Sequence, residues 1–300
     1  IFINTICISG GIFMSQYNGA KDSAGMQHVF RFKLVVCVIS GIIFTFVSLF
    51  CPRALLSLMV HGNSASQAII DEGVRYMKVL SFAWIPGVIA TSIASSLREI
   101  GTVKPPLIIS VIATIINTFF NWVLIYGNLG APRLETAGAA IATIIARVVE
   151  MLIFIIYITV KKPPFYLRFV EIFKVKISLF ITILRKSALV LVSEMSWVIS
   201  ETITTALYNS RGGAEVVSGM SAGFAIANLF FVCFSGIATV TGVIMGGTLG
   251  ANKLDEAKQQ KTWLESGSII FGLFMAFIGS LTIFLIPIIY SNLSAEARLV

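Results

Sequence analysis

The sequence predicts an all-α integral membrane protein, built as a multi-span helical bundle. Hydrophobic residues make up 57% of the 300 residues and charged residues only 12%, whereas a soluble domain has roughly 25% charged residues. The mean hydropathy is +0.92. Apolar residues form long runs, so that no charge occurs between Lys104 and Arg133. A helix needs about 20 apolar residues to cross a bilayer core of about 30 Å, and several runs are long enough.

Eight spans are predicted along the chain. Their approximate limits are 1–17, 34–58, 79–97, 106–127, 137–160, 187–209, 217–247 and 267–290. The first stretch has no basic n-region and no initiator Met, so we interpret it as a span entered part-way and not as a signal peptide. Pro86 and Gly87 lie inside the third span, which is tolerated where neighbouring helices satisfy the freed backbone groups.

Lysine and arginine are distributed unequally between the two sides of these spans. If the spans alternate in direction, the loops 18–33, 98–106, 161–186 and 248–266 share one side and carry fifteen of the 22 Lys and Arg residues. The opposite loops carry six. Cytoplasmic loops carry an excess of Lys and Arg, so the first side is predicted to be cytoplasmic. The net charge of +8 then reflects membrane topology, and we expect no nucleic-acid partner.

The loop 161–186 is the longest and most basic of the predicted loops, with seven Lys and Arg residues. It divides the chain into an N-terminal lobe at 1–160, with five of six spans, and the first half of a C-terminal lobe at 187–300, with three spans. The simplest interpretation is a solvated cytoplasmic linker lying on anionic lipid headgroups. A regulatory binding site is the alternative.

An internal repeat relates residues 6–20 to residues 237–251. The identical pairs are Ile6/Ile237, Gly11/Gly242, Met14/Met245, Gly19/Gly250 and Ala20/Ala251. Both segments end a span on the predicted cytoplasmic side, and these spans are the first and the seventh. Six-span units repeated in parallel are typical of transporters. The sequence therefore predicts two pseudo-symmetric six-helix lobes, of which the second is incomplete here, and an interior piece of a twelve-span protein.

The sixth span carries two carboxylates inside the predicted bilayer. Glu194 and Glu201 are seven residues apart, which is about two helical turns, so they share one helix face. Trp197 lies on the same side. A carboxylate and an aromatic ring suit a cationic or protonatable ligand through charge and cation–π attraction, and charged residues inside a membrane indicate function by default. The alternative is a structural acid bonded to a neighbouring helix.

Three asparagines also lie inside predicted spans. Asn117 and Asn121 are four residues apart on one face of the fourth span, and Asn228 lies in the seventh. Interhelical hydrogen bonds that stabilise the bundle are the simpler interpretation. The alternative is that these amides line a polar substrate cavity.

Arg147 and Glu150 are three residues apart in the fifth span. Residues at this spacing are neighbours on one helix face. The sequence therefore predicts a structural intramembrane ion pair.

Catalytic patterns are missing from the sequence. It contains no glycine-rich phosphate loop, no G-x-S-x-G elbow and no H-E-x-x-H motif, and its two histidines make a metal cluster improbable. We therefore expect neither an enzyme nor a bound cofactor. An ion gradient is then the simplest source of energy, with Na+ or H+ as the coupling ion.

These features together resemble the multidrug and toxic compound extrusion (MATE) family, and in particular its bacterial DinF-like branch. The stretches that carry the resemblance are QYNGAKD, SSLREIGTVKPPLIISV, INTFFNWVLIYGNLGAPRLETAGAAIATIIAR, RKSALVLVSEMSWVISET and GTLGANKLDEA. They are spread over the whole chain, and the stretch at 116–147 is the most specific.

The resemblance implies two six-helix lobes with a cavity between them. It also implies export of organic cations or other amphipathic small molecules in exchange for Na+ or H+, by a protein that is monomeric in the bacterial plasma membrane. On this alignment the first span here corresponds to the second of the family, and the chain covers its second to ninth helices.

The resemblance also assigns roles to individual residues. Glu194 falls at an acidic position implicated in cation coupling, in the first helix of the C-terminal lobe. Asn117 and Asn121 fall at a site in the N-terminal lobe. Some members have Asp at the second of these positions, and Asn121 cannot titrate. The sequence has KSAL where the family often has a Gly-x-Pro start to its seventh helix.

Two other functions fit a multi-span helical protein. A lipid-linked saccharide flippase of related fold needs a cationic cavity, and Arg147 is the only basic residue deep inside a predicted span. A membrane enzyme or a non-transporting membrane protein is the remaining alternative. An enzyme of this kind should show a cluster of His, Asp or Ser at one interface, and the sequence shows none.

Overall fold

The computed structural model describes residues 2–59, 66–168, 171–172, 177–211 and 214–289. In this part of the chain the regular structure is helical, with no strand, which confirms the predicted all-α fold class. Ten α-helices follow one another along it. They are α1 (Phe2–Gly19), α2 (Ser23–Phe50), α3 (Pro52–Met59), α4 (Ser66–Leu80), α5 (Trp84–Glu99), α6 (Lys104–Tyr126), α7 (Glu135–Lys161), α8 (Ile177–Arg211), α9 (Ala214–Gly250) and α10 (Leu254–Ile289).

Six segments within the described ranges are long and apolar enough to cross a membrane. They are Ser23–Phe50, Ile70–Glu99, Lys104–Tyr126, Glu135–Lys161, Ile226–Gly250 and Leu254–Thr282. The first and sixth of the eight predicted spans coincide with α1 and α8, which are not among these six. Polar residues explain the difference, because α1 ends in SQYNG and α8 carries Glu194 and Glu201 among its apolar residues.

The second predicted span was placed too late in the chain. The sequence prediction began it at 34, but α2 begins at Ser23, so most of the predicted loop 18–33 is helical. The cause is Asp22, whose carboxylate Oδ1 accepts a hydrogen bond from the backbone N–H of Gly25 at 3.0 Å. A side chain in this position satisfies one of the free N–H groups of the first turn.

Replacing this cap should lower stability by a small, measurable amount. We expect Asp22→Ala to cost about 1 kcal/mol, because the first turn of α2 loses its side-chain acceptor. The measurement is the melting temperature of the purified protein, compared with Glu265→Ala, which removes an exposed carboxylate from the middle of α10. Equal melting temperatures for the two variants would contradict the capping role.

Three further predicted boundaries differ from the structure. The third span includes a 3-10 turn at Ser81–Ala83, after which α5 begins with Pro86 in its first turn. The last span was predicted at 267–290, but α10 already begins at Leu254 with two acidic residues in its first turn. Helix α8 begins at Ile177, so the last ten residues of the predicted linker 161–186 are helical. In the last two cases the helix extends into a polar segment that hydropathy alone assigns to a loop.

Helix α1 lies at the centre of the bundle. It packs against α2 and α5 on one side and against α8 and α9 on the other, while α6 and α7 pair with each other. Its buried face contributes Ile6, Cys7 and Met14 to the apolar core. Helix α1 therefore packs against helices from both the N-terminal and the C-terminal part of the chain.

The repeated segments form the same backbone turn at the ends of α1 and α9. After α1, Ala20 N–H donates to Gln16 O at 3.0 Å and Lys21 N–H to Asn18 O at 3.1 Å. The residues 231 positions later repeat this pattern, since Ala251 N–H donates to Gly247 O at 3.0 Å and Asn252 N–H to Leu249 O at 3.0 Å. Lys21 and Asn252 share the left-handed conformation, with φ of 56° and 58°. The internal repeat is thus structural as well as sequential.

The two repeated helix ends cross each other in direct backbone contact. A Cβ atom on Gly19 would overlap the carbonyl oxygen of Gly247, and a Cβ atom on Gly250 would overlap the carbonyl oxygen of Gln16. The repeat offset of 231 relates Gly19 to Gly250 and Gln16 to Gly247, so the second contact is the first with the two helices exchanged. The crossing is therefore two-fold symmetric, and each of its contacts requires a glycine. We name it the glycine crossing, formed by Gly19, Gly247, Gly250 and Gln16.

The beginning of the predicted linker is docked on the bundle. Phe165 is fully buried, and its ring lies 4.9 Å from that of Phe30 in α2. Gln27 Nε2 donates a hydrogen bond to Tyr166 O at 3.2 Å. Residues 163–168 are therefore fixed against α2, in contrast to the solvated linker of the sequence interpretation.

Candidate functional site

Of the acidic and aromatic side chains predicted on α8, Trp197 contacts α9. Glu194 and Glu201 are both partly buried. Trp197 is 45% exposed, and its ring centre lies 5.6 Å from that of Phe231 in α9. Asn228 is exposed and precedes Phe231 by three residues, which places both on one face of α9. The structure therefore places Trp197 against the face of α9 that carries Asn228.

The two asparagines of α6 form a short hydrogen-bonded chain to α7. Asn121 Nδ2 donates to Asn117 Oδ1 at 3.0 Å, and Asn117 Nδ2 donates to Thr143 Oγ1 at 3.4 Å. This interhelical bond supports the bundle-stabilising interpretation for Asn117. Asn121 Oδ1 is buried and has no hydrogen-bond donor among the described residues. The cavity interpretation for Asn121 stays a prediction.

The predicted ion pair in α7 is formed and extends to α6. Arg147 Nη1 donates to Glu150 Oε2 at 2.7 Å, and Glu150 Oε1 accepts from Ser110 Oγ of α6 at 3.3 Å. The Glu150 side chain is only 7% exposed, but that of Arg147 is 49% exposed. Glu150 thus bridges two helices, while most of the guanidinium remains accessible.

Arg147 also lines a cavity of the N-terminal half. The cavity has a volume of about 280 Å³ and lies between α1, α5 and α7. Its polar lining consists of Arg147 with Asn4, Thr91 and Thr143. Arg147 is therefore paired with Glu150, as the sequence predicts, and also lines this cavity.

Sequence reasoning missed a second ion pair, between Lys33 of α2 and Glu99 of α5. Lys33 Nζ donates to Glu99 Oε2 at 2.7 Å and to Oε1 at 3.0 Å. The two side chains are 0% and 9% exposed. They fit beneath α1 because Gly10 and Gly11 leave room, since a Cβ atom at either position would collide with the pair. The pair therefore fixes α1, α2 and α5 relative to one another.

A polar chamber lies between α1, α5 and α9, beside this ion pair. Its volume is about 240 Å³, and Ser95, Arg98 and Glu99 of α5 line it together with Ser235 and Thr239 of α9. Ser15 of α1 also lines it, and its hydroxyl donates to Glu99 O at 3.2 Å. Gly246 lies further along α9, beyond the residues that line the chamber. A Cβ atom added to Gly246 would collide with Ser15. The chamber thus lies next to the glycine crossing.

The candidate site consists of two separate groups of side chains. One group contains Glu194, Glu201, Trp197 and Asn228 on α8 and α9. The other contains Asn117, Asn121, Arg147 and Glu150 on α6 and α7. No hydrogen bond or ion pair joins the groups within the described ranges, and those ranges hold no cluster of three or more His, Cys, Asp or Glu side chains that could bind a metal. The arrangement suits the binding of small molecules between helices.

Comparison with known proteins gives one family and a consistent group of relatives. The family model described as MatE matches residues 1–123 and 188–300. A probable multidrug resistance protein NorM of Bacillus cereus is 23% identical over 265 residues, covering 88% of this chain and 56% of the relative. Multidrug resistance protein NorM of Vibrio cholerae is 25% identical over 179 residues, covering 58% of this chain and 38% of the relative. The chain therefore spans about half the length of these curated relatives.

Solved structures of transporters share the fold. A crystal structure of MATE in the bent conformation superposes with a TM-score of 0.78 at 20% sequence identity, covering 99% of this chain and 65% of the other. A structure of a Vibrio cholerae MATE transporter mutant gives a TM-score of 0.79 at 19% identity, with the same coverage. At this level of identity the likeness establishes the architecture alone, which is a multi-pass helical bundle. The family match and the bacterial relatives indicate a protein of the bacterial cell membrane.

Proposed function

Since this chain belongs to the MatE family, we propose that it forms part of a secondary active antiporter of the bacterial plasma membrane. The antiporter exports organic cations, drugs or amphipathic metabolites in exchange for Na+ or H+, by alternating access between two lobes. Its small-molecule substrate enters from the cytoplasm or the bilayer. The transporter acts as a monomer and uses no cofactor beyond the coupling ion.

The observation that carries this proposal is the acidic and aromatic face shared by α8 and α9. Glu194 and Trp197 lie three residues apart, and the Trp197 ring lies against Phe231 of α9. A carboxylate within a membrane helix attracts a cation, and two adjacent rings offer it an apolar, cation–π surface. Glu194 is the coupling carboxylate in this proposal, with Glu201 as a second cation-binding group.

The glycine crossing supports alternating access between the lobes. It closes the predicted cytoplasmic ends of α1 and α9 against each other through backbone contacts. Contacts between backbones at glycine allow helices in membranes to approach closely. An inward-open state requires this crossing to separate, which exposes the polar chamber to the cytoplasm.

The organisation of the whole transporter is part of the proposal. Residues 1–160 supply the N-terminal lobe, residues 161–186 connect the lobes on the cytoplasmic side, and residues 187–300 supply the first half of the C-terminal lobe. The repeated turns after α1 and α9 support this division, because equivalent helices of two lobes should end alike. In this arrangement the chain is an interior part of a twelve-span transporter of the DinF-like branch.

Arg147 favours a second candidate function, a lipid-linked saccharide flippase. The guanidinium faces the cavity between α1, α5 and α7, and Arg is well suited to the bidentate binding of phosphate. Glu150 already occupies Nη1 at 2.7 Å, which weakens the attraction for a second anion. The two candidates differ in the residue whose loss abolishes transport, which is Glu194 for the antiporter and Arg147 for the flippase.

The test compares Glu194→Gln with wild type in cells that lack their own exporters and express the complete gene. Accumulation of a fluorescent organic cation is followed with and without a Na+ or H+ gradient. We expect gradient-driven export by wild type and background levels in Glu194→Gln, because the amide keeps the shape of the carboxyl group but not its charge. Glu265→Gln removes an exposed carboxylate paired with Lys261 and should export like wild type.

Other outcomes separate the candidates. Export by Glu194→Gln at the wild-type rate would remove Glu194 from the coupling site. Equal accumulation in wild type, variant and empty cells, with the protein present in the membrane, would contradict cation export. Loss of transport of a pyrophosphate-linked lipid in Arg147→Gln would then identify the flippase.

A further inference from the structure

An apolar cavity lies apart from the candidate site, between α2, α5 and α7. Its volume is about 670 Å³, which is within the range of pockets that hold drug-sized ligands. The lining is almost entirely aliphatic, with Leu34, Val38, Ile93 and Ile158 among its residues. None of the candidate site residues lines it.

The cavity opens sideways from the bundle. Ile39 and Ile155 line it and are 52% and 38% exposed. Since α2 and α7 are apolar enough to span the membrane, side chains exposed on their outer faces meet the hydrocarbon of the bilayer. The opening therefore faces lipid and not water.

One end of the cavity is closed by the docked segment 163–168. Tyr166 and Leu167 of this segment line the cavity, and Phe165 is buried beside Phe30. The lining residues of α7 are in its last two turns, and α7 ends at Lys161. The distribution of Lys and Arg predicts this end to be cytoplasmic, so the cavity lies at the level of the cytoplasmic leaflet.

Basic residues surround this closed end. Lys161 and Lys162 follow one residue after Thr159, which lines the cavity, and Arg168 follows directly after Leu167. All three side chains are exposed. The acidic neighbour is Glu171, whose Oε2 accepts a hydrogen bond from the backbone N–H of Arg168 at 3.2 Å. Three cations and one carboxylate leave a net positive charge at the level of the lipid headgroups.

We propose that this cavity binds an anionic glycerophospholipid of the cytoplasmic leaflet. One acyl chain fills the space between α2, α5 and α7, and the phosphate lies against Lys161, Lys162 and Arg168. An acyl chain of any lipid fits the apolar lining equally well, so the basic residues determine the headgroup. Basic pockets between membrane helices on the cytoplasmic side bind anionic headgroups in this way.

The experiment measures how many phosphatidylglycerol molecules the full-length protein retains. The protein is purified from vesicles containing equal amounts of phosphatidylglycerol and phosphatidylcholine, and bound lipids are counted by native mass spectrometry. The headgroup variant is Lys161→Gln with Lys162→Asn and Arg168→Gln; Asn is chosen because Lys162 has a left-handed φ of 44°, which Asn tolerates. The chain variant is Ile39→Trp, which fills the cavity opening.

Matched controls use the same substitutions elsewhere. Lys253→Gln with Lys258→Gln removes two exposed basic residues near the start of α10. Ile43→Trp places the same ring one turn further along α2, at a residue that is 55% exposed and outside the lining. A second measurement, the rise in melting temperature on adding phosphatidylglycerol vesicles, reports binding without purification.

We expect the headgroup variant to retain at least tenfold less phosphatidylglycerol than wild type, because each Lys or Arg near an anionic surface contributes about fivefold in affinity. Ile39→Trp should lose the lipid while keeping all basic residues, and both controls should behave like wild type. Unchanged retention in either test variant would overturn the proposal. An equal loss of phosphatidylglycerol in the Lys253 and Lys258 control would also overturn the proposal. The lipid would then be attracted by the whole basic surface and not by this cavity.

Discussion

Glu99→Gln is expected to destabilise this protein by about 3–5 kcal/mol, the largest effect of any single substitution considered for its stability. The substitution leaves the Lys33 ammonium group buried without an opposite charge, and breaking a buried pair from one side has a cost of this size. Lys33 Nζ contacts both carboxylate oxygens of Glu99, at 2.7 and 3.0 Å, and its side chain is 0% exposed. The Lys33 ammonium group therefore has no direct contact with bulk solvent.

The melting temperature of the purified protein measures this effect, and a double variant identifies its cause. Lys33→Met with Glu99→Gln should recover most of the lost stability, because exchanging a whole buried pair for uncharged groups is often neutral. Glu265→Gln breaks the exposed pair with Lys261, where we expect a change of about 0–1 kcal/mol. If Glu99→Gln and Glu265→Gln had the same melting temperature, the buried pair would not stabilise the fold.

Gly19→Ala is expected to shift the proposed equilibrium between the states that are closed and open towards the cytoplasm. The added methyl group would overlap the carbonyl oxygen of Gly247, so α1 and α9 must move apart. Overpacking costs roughly 1–3 kcal/mol, and a bias of this size shifts a two-state equilibrium about 5- to 150-fold. We therefore expect the ratio of the state closed towards the cytoplasm to the state open towards it to fall by this factor.

Accessibility of the chamber from the cytoplasm measures the shift. A cysteine introduced by Thr239→Cys lies in the chamber lining, and its reaction rate with a water-soluble maleimide is compared in Gly19→Ala and in the parent protein. Gly247→Ala is the matched control, because a Cβ atom there has open space around it. Faster labelling in Gly19→Ala alone is the expected result. Equal labelling in all three would mean that the crossing does not close the chamber.

The sequence was sufficient for the architecture and for contacts between near neighbours. Long apolar runs predicted the helices, and the family resemblance agreed with the match to residues 1–123 and 188–300. The Arg147–Glu150 pair is formed as predicted, and Asn117 and Asn121 share one helix face as predicted, because spacings of three or four residues place side chains together on any helix. The roles of Glu194 and Glu201 stay predictions.

The sequence was insufficient for helix ends and for contacts between distant residues. Hydropathy identifies only apolar helical segments. The polar start of α2, which Asp22 caps, was therefore assigned to a loop. That error removed Lys33 from the bundle, and with it the pair that joins residues 66 positions apart. The signal that was available is an acidic residue, Glu99, at the end of an apolar run and one residue after Arg98. The partner of Glu99 depends on how α2 packs against α5, and no local sequence pattern predicts that packing.

The two-fold symmetry of the glycine crossing limits how the lobes can separate. The contact of Gly19 with Gly247 and the contact of Gly250 with Gln16 lie on opposite sides of one axis. A twist of the lobes about that axis slides α1 across α9 and leaves the helices touching. A tilt perpendicular to the axis lifts one backbone off the other and breaks both contacts within a single movement. In the alternating access proposed above, opening of the cytoplasmic side should therefore break both contacts together.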